Sequence, residues 1–134
     1  MLLLFLTSLF EASCSFIAKP LPTELANIHL AVISSSHVEI LTPKIRVING
    51  TPVLKGNVRR AFRSESTVDT SLKIQFYSMA DEILATNAVR FSPLQLPARS
   101  THPYNEGHYE VPLSDLPPGT RRIEIKAVIT RGLP

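Results

Sequence analysis

The sequence predicts an all-β domain, an antiparallel sandwich of about seven short strands. Three observations lead there. After residue 20, apolar residues recur with period two rather than 3.6. Turn-forming clusters such as Asn49-Gly50-Thr51-Pro52 and Ser114-Asp115-Leu116-Pro117-Pro118-Gly119 separate the alternating runs at fairly even spacing. No stretch past residue 20 carries the stripe of an amphipathic helix.

The elements follow in chain order. Residues 19–24 (KPLPTE) are a proline-rich lead-in that runs extended. Ile28, Leu30 and Val32 share one face of a strand within 26–33, and Val38 and Ile40 resume the pattern after the serine break at 34–36. Ile45 and Val47 alternate with Lys44 and Arg46 up to Asn49-Gly50, a tight-turn signal. Asn49-Gly50-Thr51 also matches a glycosylation acceptor, but the turn explains it better. Leu54, Gly56 and Val58 form the next face, and Leu72, Ile74 and Phe76 the clearest one, within 71–78. A short turn at Met79-Ala80-Asp81-Glu82 leads into 83–86 and 88–91. Tyr109, Val111 and Leu113 alternate in turn, and the last strand, 121–130, is expected to bury Ile123, Ile125, Ala127 and Ile129. Leu72, Ile74, Phe76, Val111, Ile123 and Ile125 should share one core.

These residues resemble a known family. Leu54-x-Gly56-x-Val58, then Leu72-x-Ile74-x-Phe76 with an acidic turn and Ile83-Leu84-Ala85, is similar to the immunoglobulin-like or fibronectin-III-like sandwich. The ending Leu113-x-x-Leu116-Pro117-Pro118-Gly119, followed by Ile123-x-Ile125-x-Ala127, strengthens the likeness. Over most of residues 19–134 the chain looks like small secreted bacterial proteins of this architecture. The resemblance implies a fold and a compartment, and it brings no catalytic residues. The chain departs from antibody domains in lacking paired cysteines and a core tryptophan.

Composition narrows the function. A chain of 134 residues, 44% hydrophobic and 19% charged, is one globular domain rather than a disordered segment. Five glycines leave little material for phosphate-cradling loops, and a single cysteine excludes a disulfide scaffold. The organisation expected is a signal peptide or N-terminal hydrophobic segment at 1–18 and a sandwich domain at 19–134. Residues 1–10 (MLLLFLTSLF) are apolar enough for export and too short to span a bilayer, and small residues follow at Ala12, Ser13, Cys14 and Ser15. No basic residue precedes the run, and Glu11 interrupts it. Cys14 is either a lipid-anchor site or a small residue within a removed signal, and Glu11 departs from the lipoprotein pattern. An extracytoplasmic location, periplasmic or secreted, is therefore expected.

No catalytic motif is present: there is no GxSxG, GxxxxGK[ST] or HExxH, and the aspartates fall in turns. No cofactor is expected. The densest polar segment, 100–108 (STHPYNEGH), places His102 and His108 six residues apart, a weak candidate for copper or zinc. Arg59, Arg60 and Arg63 make a basic cluster suited to an acidic partner, or a solvated strand edge. Nucleic acid fits poorly, because no aromatic platform is interleaved with the arginines. The expected function is a non-catalytic binding or structural module for a protein or cell-envelope component, with no transmembrane span. The alternative is a small metal-handling protein using 100–108.

Overall fold

The computed structural model describes residues 23–62, 66–97 and 106–130. The hydrophobic segment 1–18 with Cys14, and the site candidates Arg63 and His102, lie outside these residues. A single helical turn, α1 (Thr23–Ala26), precedes eight strands: β1 (His29–Ile33), β2 (Val38–Ile40), β3 (Lys44–Ile48), β4 (Thr51–Arg60), β5 (Thr70–Tyr77), β6 (Ile83–Val89), β7 (Glu106–Pro112) and β8 (Arg122–Ile129). The domain is all-β, in two four-stranded sheets.

The first sheet runs β1–β8–β5–β6. In the second, β4 is central: β7 pairs along one edge, while β2 and β3 lie end to end along the other. Every pairing is antiparallel but one. β1 runs parallel to β8, Leu30 opposite Ile123 and Val32 opposite Ile125, so the expectation of a wholly antiparallel fold is corrected. The physical reason is connectivity. β1 is not half of a hairpin, because the chain leaves it through Ser34–His37 into the other sheet, and the rest of the domain serves as the crossover.

Alternation places one row of each strand inward. Leu72, Ile74, Phe76, Ile123 and Ile125 of the first sheet are buried in one cluster with Val38, Ile40, Leu54, Val58 and Val111 of the second. The shared core read from the sequence is therefore present. Three residues read as parts of apolar faces are not inside. Val32 is 38% exposed on the edge strand β1, which is flanked on one side only, Val47 is 38% exposed near the end of β3, and Ile129, the last residue of β8, is 40% exposed. The segment after β6 adds Phe91 and Leu96, both fully buried. Thr67 pins that segment: its hydroxyl donates to the Leu94 carbonyl at 2.6 Å and accepts from the Leu96 N–H at 2.8 Å.

Turn chemistry sets the register. Asn49 and Gly50 have φ of 51° and 80°, the type I′ geometry that suits a two-residue hairpin between Ile48 and Thr51. Asp81 takes φ 61° in the β5–β6 turn, and its carboxylate meets Arg122 at 3.1 Å. At the centre of the second sheet the Tyr109 ring lies across Gly56, its opposite residue, where any Cβ would overlap the ring. Glycine there is a packing requirement.

Candidate functional site

The residues singled out for charge and metal chemistry fall mainly on the outer face of the second sheet. Across β2, β4 and β7, Glu39 stands opposite Arg59 and Arg59 opposite Glu106; the next outward row pairs Asn57 with His108. Arg59 donates to both oxygens of Glu39, at 2.9 and 2.8 Å. That hydrogen bond raises the guanidinium pKa above its ordinary value, with the nearby Glu39 and Glu106 charges acting in the same direction against desolvation.

One hydrogen-bond direction fixes the rest of this network. Glu106 can only accept, so the Asn57 side-chain amide faces it, donating at 2.9 Å. The Asn57 oxygen then faces His108 Nδ1 at 2.8 Å, which makes Nδ1 the donor and leaves Nε2 as the open ring nitrogen. His108 is thus tied into the sheet. Among the described residues no three His, Cys, Asp or Glu side chains gather as a metal site, and His102 lies outside them.

The basic cluster is redistributed by the fold. Adjacent residues of a strand point to opposite faces, so Arg59 and Arg60 do not form one patch. Arg59 faces outward between two glutamates, while Arg60 stands opposite the buried Val38 at the end of β4. Positive charge on this face is instead greatest toward β3, where Lys44, Lys55 and Arg46 accompany Glu110, which pairs with Lys55 at 3.3 Å.

The first sheet carries a basic pair that sequence proximity did not disclose. On its outer face Lys73 of β5 stands directly opposite Lys126 of β8, the two central strands. Their outer neighbours in the same row are Ile33 and Ala88. Neither lysine is ion-paired among the described residues. Like charges directly opposite in a sheet are destabilising. A lower row on the same face is compensated: Arg122 stacks 4.2 Å from the Tyr77 ring centre and pairs with Asp81. Lys73 and Lys126 are 53 positions apart in a chain of 134, so only the β5–β8 register reveals the pair.

Compared with protein-family models, with curated proteins and with solved structures, the chain matches none. The geometry therefore carries the functional argument by itself. What it offers is charge and hydrogen bonding on two rigid outer faces. Among the described residues no helix is long and apolar enough to cross a membrane.

Proposed function

We propose that this protein is a non-catalytic, extracytoplasmic binding module of immunoglobulin-like or fibronectin-III-like architecture. On this reading it holds an acidic protein or cell-envelope component on the outer face of its first sheet. The topology supports the architecture: after the β5–β6 hairpin the chain crosses to β4 as β7, then returns beside β5 as β8. The apolar run at 1–10 and the small residues after it support export.

The observation that carries the binding reading is the Lys73–Lys126 pair. Two lysines directly opposite each other on the central strands of a sheet are an arrangement that the sheet disfavours. A carboxylate- or phosphate-bearing partner offsets that cost and is recognised by it. Strands β5 and β8 fix the two backbone positions, so only the lysine side chains are left to order on binding.

The test is capture from cell-envelope extract by the full chain, at low salt and again with added salt, beside Lys73→Glu/Lys126→Glu. A specific partner should be retained by the wild type, released as the screening length falls below about 8 Å, and missed by the double variant. Identical recovery by both proteins would overturn the assignment of this face.

A further inference from the structure

We infer that the outer face of the second sheet holds a phosphate-binding site, built by Lys44, Arg46 and Lys55 around an open cleft. The cleft lies between two cross-strand rows. In the first, Lys44, Lys55 and Glu110 stand opposite one another across β3, β4 and β7. In the second, Asn57 stands opposite His108, and the chain between β2 and β3 closes the row at Leu41, whose N–H donates to the Asn57 carbonyl at 3.0 Å. Gly56 and Tyr109 pair between these rows and face the core, so the floor of the cleft is backbone. Arg46, two residues on from Lys44 and on the same face of β3, lines the cleft as well. The opening measures about 720 Å³.

What this cleft has left over is positive charge and hydrogen-bond donors. The Asn57 side chain is fully engaged, its amide on Glu106 and its oxygen on His108. Among the described residues Glu110 is the one carboxylate lining the cleft, and Lys55 already holds it at 3.3 Å. Lys44 and Arg46 are exposed, and neither is ion-paired among the described residues. Charge on an edge strand discourages pairing with another chain, and that accounts for Lys44 and Arg46 on β3. It does not account for Lys55 on the central strand β4, directly opposite Lys44, an arrangement that a sheet disfavours. Glu110 offsets one of these two lysines and leaves the other.

Charge then selects the ligand. Three cations against one carboxylate leave two net positive charges, counting His108 as neutral. A phosphate group carries about −1.5 to −2 at pH 7 and presents three strong acceptor oxygens, so it meets both the charge and the surplus of donors. A lone carboxylate meets half that charge. The side chains suit the same group: the planar guanidinium of Arg46 binds two phosphate oxygens at once, and the lysines bind as point charges. The site lies on the opposite sheet from the Lys73–Lys126 row and does not depend on it.

Two titrations of the full chain test this and separate a soluble phosphate from a lipid headgroup. In the first, inorganic phosphate should shift the backbone NMR signals of Lys44, Lys55, Gly56 and His108 saturably, and sodium chloride at equal ionic strength should not. In the second, phosphatidylcholine vesicles with and without phosphatidic acid are sedimented with the protein. Retention that needs phosphatidic acid assigns a headgroup, and shifts by inorganic phosphate without retention assign a soluble ligand. Lys44→Gln/Arg46→Gln should weaken whichever binding is seen by about tenfold or more, and Lys73→Glu/Lys126→Glu should leave it unchanged. Circular dichroism checks that the variants keep the wild-type β spectrum; if the double variant does not, Arg46→Gln alone, weakening binding about threefold or more, decides. Neither saturable shifts nor retention, shifts confined to Lys73 and Lys126, or binding untouched by the Lys44 and Arg46 substitutions would overturn the inference. Acetate binding as tightly as phosphate would overturn the choice of ligand.

Discussion

The two sheets contribute equally to the core and differently to the surface. Outside, the second sheet joins Glu39, Arg59, Asn57, Glu106 and His108 in one connected set of ion pairs and hydrogen bonds, while Lys44 and Lys55 stand opposite each other on its β3 side. The first sheet keeps two lysines face to face on its central strands and an uncharged edge at β6. A surface that has already satisfied its own polar groups has little to offer a partner. On the reading proposed above, the connected set acts as scaffold and the Lys73–Lys126 row of the first sheet as the recognition surface.

The largest expected effect tests the premise that the sheets share one core. Ile125→Ala in the first sheet and Leu54→Ala in the second should each cost about 2–5 kcal/mol, because both side chains are fully buried. Urea unfolding checks it, and a cost below about 1 kcal/mol for either would break the symmetry of the core.

The next effect belongs to the second sheet alone. The Tyr109 hydroxyl is buried with no hydrogen-bond partner among the described residues, and burial pushes its pKa up to about 12 from the ordinary 10. The folded protein therefore holds this proton more tightly than the unfolded chain does. That contribution is intact below about pH 10 and is lost as pH rises through 12, on the order of 2–3 kcal/mol in all. Tyr109→Phe should flatten the stability profile over this window. At neutral pH it should be neutral or slightly stabilising, since it removes an unsatisfied polar group. An unchanged alkaline slope would assign the loss to other groups.

Much of this architecture was legible in the sequence, and the illegible parts have a common cause. Period-two alternation is local, so the strands, the Asn49-Gly50 turn and the six-residue core could be read directly. Pairing partners are not local. That β7 joins β4 rather than β8, and that β1 runs parallel to β8, depends on which crossovers the whole chain can make. Phe91 and Leu96 were hidden for a related reason: they sit in a proline-bearing connection whose burial depends on Thr67, more than a strand away. At the surface, Arg59 read as available charge because Glu39 is 20 positions distant, and the Lys73–Lys126 pair left no local trace.

A smaller effect probes the connected set on the second sheet. Arg59 and Glu39 are each about one-third exposed, so solvent screens the pair. Arg59→Ala should cost less than about 1 kcal/mol, and Glu39→Ala a similar amount. The double variant should cost little more than either alone, because both remove the same interaction. Additive losses in a double-mutant cycle would show that the two side chains act independently.

The smallest effect bears most directly on the central claim, because its sign is unusual for a surface substitution. Lys73→Glu turns the repulsive Lys73–Lys126 pair into an attractive one across the same register. The urea midpoint of this single variant should rise, by about 0.2–1 kcal/mol in unfolding free energy, with the slope unchanged. A midpoint that stays put or falls would show that the lysines cost the fold nothing, and the outer face of the first sheet would then be ordinary solvated surface.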